Sequence, residues 1–287
     1  MRRHPNWLKI KIGGGESYVK MKSLLRNGKL HTICEEAKCP NIAECFDSGT
    51  AVFLILGDIC TRNCRYCYVK HGEPSPLNLD EPRDVAESVK KLGLKYVVIT
   101  SVTRDDLEDG GANVFYETII KIKKLNKNCN IEVLIPDFKG EIDSLRKVID
   151  ANPDVINHNI EVVKELFQEI RPQGNYEISL KILKDIKKIN KDVKTKSGFM
   201  VGLGESKEQI LNTMKALRRA NVDFLTIGQY LQPSKNHVVI RKYYNPEEFD
   251  QLKKIAVDLG FKHVESGPLV RSSYHAEKVL CLQSEKR

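Results

Sequence analysis

Long apolar runs are missing from this chain. The longest, AVFLIL from Ala51 to Leu56, falls far short of the roughly 20 residues that a membrane-crossing helix needs. The opening stretch MRRHPNWLKIKIGGGESYVK is basic but has no apolar segment and no small-residue cleavage site, so no secretory leader is expected. Repeats, low-complexity tracts and flexible linkers are also missing. Aromatic residues make up 7% of the chain, with a single tryptophan, and no basic stretch is interleaved with aromatic side chains. That argues against a zinc-stabilised RNA-binding module. The expectation is a cytoplasmic protein with no membrane and no nucleic-acid partner.

What is present is a chain of 287 residues, 41% hydrophobic and 30% charged. That is enough for a sizeable core under a well-solvated surface. The length suits one barrel-like α/β domain with additions, or two smaller domains. The formal charge of +9 comes largely from lysines in stretches such as KILKDIKKINKDVKTK. It reads either as a solvated helix surface or as a face for an acidic partner.

Apolar, β-branched runs alternate with stretches of helical spacing. AVFLILG, KYVVITS, IEVLIP, DVINHN, SGFMVGLG and DFLTIGQYL read as strands. Between them, stretches such as PRDVAESVKKLG, NVFYETIIKIKKLN and SKEQILNTMKALRRAN read as helices. In a further one, Ile178, Leu180, Ile182, Leu183, Ile186 and Ile189 fall mostly three or four apart, as one buried helix face requires. Strand–helix alternation of this length predicts βαβ units and a parallel sheet. Six units are too few for a closed eight-stranded barrel, which leaves an open partial barrel or a doubly wound sheet. The stretch to about residue 50 lacks this rhythm and reads as an extension on the core, and residues 262–287 read as a short tail.

Eight cysteines remain, and six of them stand in two triplets. In a reducing cytosol clustered thiols point to metal or redox chemistry before disulfides. Cys60, Cys64 and Cys67 in CTRNCRYC have C-x3-C-x2-C spacing and directly follow the first strand. They therefore belong to the C-terminal edge of the sheet, where parallel α/β folds build active sites. Thiolates suit zinc or iron–sulfur clusters. A structural zinc site wants four ligands, and His71 is the one nearby candidate for a fourth. Three ligands on a cubane cluster would instead leave one iron open to a substrate or cofactor. Cys34, Cys39 and Cys45 in CEEAKCPNIAEC form a second triplet, either a metal site or buried free thiols. Cys129 and Cys281 match neither pattern; Cys129 is assigned to the surface or to packing, and Cys281 to the tail. His71, His158 and His275 adjoin motifs, but no proton-transfer role is assigned to them.

The C-x3-C-x2-C spacing, with Tyr66 before its last cysteine, resembles the signature of the radical S-adenosylmethionine enzymes. The blocks LHTICEEAKCPNIAECF, GDICTRNCRYC, TSVTRDDLEDGG, NHNIEVV, MVGLGE, GQYLQP and RSSYHAE together resemble the lipoyl synthase family, in that family's order and over nearly the whole chain. The resemblance implies a partial (β/α)6 TIM-type barrel over residues 51–261, an N-terminal extension (1–50) binding an auxiliary cluster, and a C-terminal tail (262–287) supplying a serine ligand. It implies insertion of sulfur at C6 and C8 of a protein-bound octanoyl-lysine, with two 4Fe–4S clusters and S-adenosylmethionine as cofactors. Those carbons are unactivated, which explains why no Ser-His-Asp set is needed.

The same resemblance implies residue roles. Cys60, Cys64 and Cys67 would hold the cluster that binds S-adenosylmethionine. Cys34, Cys39, Cys45 and Ser273, with Ser272 as the fallback, would hold the auxiliary cluster that donates sulfur. Tyr66 would lie near the adenine, and Thr100 and Ser101 near the methionine end. Asn159 and Glu161 would contact ribose or the methionyl amine, and Gly202 and Glu205 would shape the adenosine pocket. The implied partners are an octanoylated lipoyl-carrier protein, an electron donor such as flavodoxin or ferredoxin, and an iron–sulfur carrier that repairs the spent cluster. The carrier would be a lipoyl domain of a 2-oxoacid dehydrogenase or the glycine cleavage H protein. Anaerobically purified protein should be brown and contain iron and acid-labile sulfide; a colourless protein containing zinc would favour the zinc reading.

Overall fold

The structure, a computed structural model, describes residues 5–8, 15–27, 30–47 and 52–277. The N-terminal part is built from α1 (Glu16–Asn27), a two-residue strand β1 (His31–Thr32), and the short helices α2 (Ile33–Glu36) and α3 (Ile42–Asp47). The first core strand is β2 (Val52–Ile55), followed by β3 (Ile59–Cys60) and β4 (Lys70–His71), which pair only with each other. The core then alternates: α4 (Glu81–Leu92), β5 (Tyr96–Ser101), α5 (Ala112–Leu125), β6 (Asn130–Leu134), α6 (Ile142–Asp150), β7 (Val155–Asn157). Two helices follow, α7 (Lys164–Ile170) and α8 (Tyr176–Ile189), then β8 (Lys194–Val201), α9 (Lys207–Arg219), β9 (Phe224–Gln229), α10 (Pro246–Asp258) and β10 (His263–Gly267).

The main sheet runs β1-β2-β5-β6-β7-β8-β9-β10. Every pairing is parallel except β1 against β2. The two ends of this order do not meet, so the barrel is open, and the partial-barrel expectation holds over the doubly wound one. The chain spells out its helix starts. Ser206 and Gln209 close a capping box on α9, and Asn245 and Glu248 close another on α10, which has Pro246 at its first position. The face expected on α8 is the one that packs: Ile182, Leu183 and Ile186 are fully buried. Among the described residues no helix is long and apolar enough to cross a membrane.

One strand lies beyond the expected core boundary at residue 261. β10 pairs in register with β9 from His263↔Phe224 to Gly267↔Gly228, so the sheet has a seventh parallel strand. Its sequence, HVESG, has a single strongly apolar residue, Val264. An edge strand buried on one side needs no more, and hydropathy could not flag it.

Alternation along the strands sorts the interior from the helix-facing side. On β6, Ile131 and Val133 join the hydrophobic core with the helices, while Leu134 borders the central cavity. Glu132 shares the inward face with Leu134. It meets Lys196 from β8 at 3.0 and 3.1 Å, the Tyr96 hydroxyl at 2.7 Å and the Asn157 amide at 3.1 Å. Glu132 and Lys196 are essentially inaccessible to solvent. Two residues further along the same strands come Leu134 and Gly198, which border the cavity. The barrel is therefore plugged by a paired, hydrogen-bonded ionic layer directly beneath the cavity. Lys196→Met should cost about 3–5 kcal/mol, because it strands a buried carboxylate. The double variant Lys196→Met/Glu132→Leu should recover most of this. Chemical unfolding checks it, and a double variant no more stable than the single one would show that the two residues do not act as a pair.

Candidate functional site

A cavity of about 540 Å³ opens at the C-terminal ends of the strands, and all six triplet cysteines border it. The first triplet sits on an irregular loop closed at its base by the β3–β4 pairing. Cys60 Sγ accepts the amide N–H of Arg62 at 3.4 Å and of Thr103 at 3.3 Å. Arg62, which stands between Cys60 and Cys64, is buried. It forks onto Asp105 at 2.6 and 2.9 Å and onto Asp137 at 2.6 and 2.7 Å. The guanidinium beside Asp137 holds that carboxyl down to about 2, against the opposing effect of burial. These bidentate, charge-assisted bonds tie the loop to the chain beyond β5 and β6.

The second triplet comes from the N-terminal part. Thr32 caps α2, which carries Cys34; the following turn brings Cys39, and α3 carries Cys45. Two bonds join this part to the C-terminal end of the chain. Asn41 donates to the Leu269 carbonyl at 2.6 Å, and the Tyr274 hydroxyl donates to Glu44 at 3.0 Å. Between them lie Ser272 and Ser273, both of which border the cavity. Gly228, at the end of β9, lets this segment close: a Cβ there would stand 2.1 Å from the Val270 carbonyl oxygen.

The thiols are held in dry surroundings. Burial is the largest cause in each case: it pushes Cys45 and Cys67 up to about 12 and raises Cys34, Cys39 and Cys64 as well. Neighbouring cysteines add to the rise at Cys34, Cys45, Cys64 and Cys67. Three thiolates cannot share such a pocket unless bound metal compensates their charge. This donor chemistry therefore fits iron–sulfur clusters, whose binding displaces the protons.

The cavity also has a polar wall. Among the described residues, five buried polar atoms bordering the cavity have no partner in the protein: Ser101 Oγ, His158 Nε2, Asn159 Oδ1, Arg171 Nε and the Tyr230 hydroxyl. Buried polar groups are normally paired, so this concentration marks a surface built for a ligand. Thr100 borders the cavity too, its hydroxyl already donating to the Leu134 carbonyl at 3.0 Å. Glu161 holds a left-handed backbone at φ 69°, a conformation that costs a non-glycine residue about 1 kcal/mol or more. Its amide donates to Gly198 and its carbonyl accepts from Met200, which fixes it against β8. Burial raises its carboxyl, while Arg171, Asn159 and the Tyr66 hydroxyl oppose the rise. Gly198 is required here, because a Cβ would stand 2.2 Å from Thr226 Oγ1 and 3.1 Å from Asn159 Oδ1.

The structure brings Tyr66, Thr100, Ser101, Asn159 and Glu161 to the cavity, but neither Gly202 nor Glu205. The Glu205 carboxylate instead accepts the amides of Gly202 at 2.6 Å and Leu203 at 2.8 Å, closing the turn after β8. A Cβ at Gly202 would stand 2.1 Å from Gln229 Nε2, so close packing explains that glycine. Cys129 is buried away from both triplets, and Cys281 lies outside the described residues. Sequence reasoning missed Arg171, a buried guanidinium beside Cys64, Tyr66 and Glu161. An arginine just after a helix end reads as an ordinary dipole partner, and only the fold turns it inward.

Comparisons with known proteins show what the chain is similar to. The Radical SAM superfamily matches residues 54–217, and the N-terminal domain of lipoyl synthase of that family matches residues 1–39. Lipoyl synthase of Shouchella clausii is 56% identical over 277 residues, covering 96% of this chain and 90% of that protein. Lipoyl synthase of Rubrobacter xylanophilus is 54% identical over 274 residues, covering 96% and 85%. Among solved structures, the FeFe-hydrogenase maturase HydG from Carboxydothermus hydrogenoformans superposes with a TM-score of 0.54 at 16% identity, covering 94% of this chain and 78% of that one. Streptococcus suis SuiB bound to S-adenosylmethionine gives 0.59 at 13% identity, covering 80% and 54%. At such identities these two structures share the fold.

His158 gives the site a pH signature. Its Nδ1 lies 2.9 Å from the Ile135 carbonyl oxygen, to which it donates. Burial, with Arg171 beside it, pushes the ring down to about 4 from its usual 6.5. The folded state thus keeps the ring neutral where the unfolded chain would protonate it. This contribution is fully present above about 6.5 and is lost as pH falls towards about 4, a loss of roughly 3 kcal/mol. Thermal unfolding across that window should show a flatter pH dependence in His158→Gln; an unchanged slope would assign the loss to other groups.

Proposed function

The chain belongs to the lipoyl synthase family of radical S-adenosylmethionine enzymes, and on that premise we infer how its own residues divide the work. It is a sulfurtransferase that inserts sulfur at C6 and C8 of an octanoyl-lysine on a lipoyl-carrier protein, using S-adenosylmethionine and 4Fe–4S clusters. The observation that carries the assignment of residues is the meeting of both cysteine triplets and the terminal serines around one cavity. Cys60, Cys64 and Cys67 hold the cluster that binds S-adenosylmethionine. Cys34, Cys39 and Cys45 hold the auxiliary one, with Ser273 as its fourth ligand and Ser272 beside it. When bound, these groups supply a carbon-centred radical and the sulfur that unactivated carbons require, which no side chain can supply.

The protein positions and excludes. Arg171 offers a guanidinium to the methionyl carboxylate, and Glu161 a carboxylate to the amine. Ser101 and Asn159 present unpartnered polar atoms to the same molecule, and Tyr66 and Thr100 complete the wall. Glu205 and Gly202 act from outside, by fixing the end of β8. Apolar side chains, among them Val52, Leu54, Val102, Leu134 and Ile135, line the rest of the cavity. They suit an alkyl chain and keep water from a reactive radical. Residues 1–50 form the auxiliary-cluster extension, and the core that follows runs past residue 261 to take in β10. The tail beyond it brings the serines. The carrier is a lipoyl domain of a 2-oxoacid dehydrogenase or the glycine cleavage H protein, and an acidic docking face suits the +9 charge. The electron donor is a flavodoxin or ferredoxin, an iron–sulfur carrier repairs the auxiliary cluster, and the compartment is the cytoplasm.

Reconstituted protein, incubated anaerobically with S-adenosylmethionine, a reductant and an octanoyl-lysine peptide, should add two sulfurs to the peptide with loss of two hydrogens, and release 5′-deoxyadenosine. Release without sulfur insertion would overturn the substrate assignment. Ser273→Ala should keep 5′-deoxyadenosine formation and sharply lower sulfur insertion, with Ser272→Ala close to wild type. The reverse ranking would make Ser272 the ligand.

A further inference from the structure

A chain of contacts links the two cysteine triplets. His237 lies in the loop after β9, and its Nε2 is 2.9 Å from the main-chain carbonyl oxygen of Cys67. A carbonyl can only accept, so Nε2 carries the proton and donates. Nδ1 then accepts, and the Ser234 hydroxyl donates to it at 2.8 Å. Ser234 Oγ accepts the Asn236 amide at 3.3 Å, and Gln232 donates to the His237 carbonyl at 2.9 Å. The imidazole is held in one tautomer and one orientation. The same loop grips the cysteine segment again, where the Val238 amide donates to the Arg65 carbonyl at 3.2 Å.

On its other side the His237 ring meets Tyr68, with centroids 5.8 Å apart and planes inclined by 33°. Tyr68 directly follows Cys67. Its hydroxyl accepts from Lys38 Nζ at 2.6 Å, and Lys38 directly precedes Cys39. Lys38 holds a left-handed backbone at φ 48°, uncommon for a residue with a side chain. Cys67, Tyr68 and Lys38 thus make one physical path from the first triplet to the second, and His237 braces its Cys67 end through the Cys67 carbonyl and the Tyr68 ring. None of the three links is needed as a cluster ligand.

We propose that His237 is a positioning residue which, through Tyr68 and Lys38, straps the Cys60–Cys67 loop to the Cys34–Cys45 segment and so sets the separation of the two cluster sites. The proposal rests on reading the triplets as two such sites. A carbon radical must meet sulfur before it is quenched, and a misplacement of about 1 Å can cost on the order of 100-fold in rate. A loosened strap therefore uncouples radical formation from sulfur insertion.

The test compares holoenzyme carrying both clusters in wild type, His237→Phe, His237→Gln and Tyr68→Phe. The first variant keeps a ring against Tyr68 but loses the donor. The second keeps an N–H, and the third keeps the ring but loses the acceptor for Lys38. Three quantities are read: 5′-deoxyadenosine released per sulfur inserted into an octanoyl-lysine peptide, the EPR spectrum of the reduced Cys60–Cys67 cluster, and amide exchange across residues 60–68. His237→Phe should raise the product ratio about fivefold, the factor that one net hydrogen bond represents, change the spectrum and speed exchange. His237→Gln should restore all three, and Tyr68→Phe should move them the same way by less. Wild-type values in both Phe variants would overturn the proposal, as would a perturbation that His237→Gln does not reverse. If His237→Phe fails to fold or load iron, Tyr68→Phe decides by the same readouts. A wild type that cleaves S-adenosylmethionine without making product would overturn the substrate reading instead, while spectra and exchange would still decide on the strap.

Discussion

The loop that carries Cys60, Cys64 and Cys67 has almost no regular structure of its own, and the guanidinium of Arg62 fixes its place. Four charge-assisted hydrogen bonds run from this one side chain to Asp105 and Asp137. A buried arginine is tolerable only because both forks are filled, and Asp137 stays ionised only because Arg62 is there. The pairing is mutual, so the loop, the turn after β5 and the turn after β6 form one rigid unit. The rest of the site is measured from that unit. Cys60 Sγ takes amides from Arg62 and Thr103, and the Thr61 hydroxyl donates to the Thr103 carbonyl at 3.0 Å.

Beneath this unit the barrel is layered by charge. Glu132 and Lys196, with Tyr96 and Asn157, fill the interior with paired polar groups. One layer higher, polar atoms are left without protein partners at Ser101, His158, Asn159 and Arg171. In the lower layer the ion pair is satisfied and one atom, Asn157 Oδ1, has no partner, while in the next layer four side chains stand open, on the side where ligand contact begins. The left-handed backbone of Glu161 lies at the cavity, not in the plug.

Segments far apart in sequence close the cavity. Asn41 reaches Leu269, and Tyr274 reaches Glu44, so the N-terminal part and the C-terminal segment hold each other across the open side of the barrel. An open sheet makes this possible, since a closed eight-stranded barrel would leave no such gap for a second cysteine triplet. The cost is a pair of edges that need covering. β1 pairs along β2 at one edge, and β10 ends the other.

The sequence alone determined the parts that are local. Cysteine spacing, strand–helix alternation, the buried face of α8 and the capping residues of α9 and α10 all depend on neighbours within a few turns of chain. For Thr100, Ser101 and Asn159 the place at the rim was legible for the same reason, because βα topology sends every strand end there, while their ligand roles came only from the family resemblance. The place of Glu205 was not legible, because a carboxylate near a strand end can point either to the rim or back to its own turn, and two backbone amides captured it. Arg171 and His237 were not legible either, since each matters through a partner fixed by packing: the neighbourhood of Cys64 for one, the Cys67 carbonyl for the other. β10 escaped because an edge strand is specified by its neighbour's hydrogen bonds more than by its own hydropathy. Ligand types are written in the chain. Which groups are left unpaired, and how far apart the two triplets stand, were decided only when the open barrel packed around them, because burial and separation are properties of the packed whole.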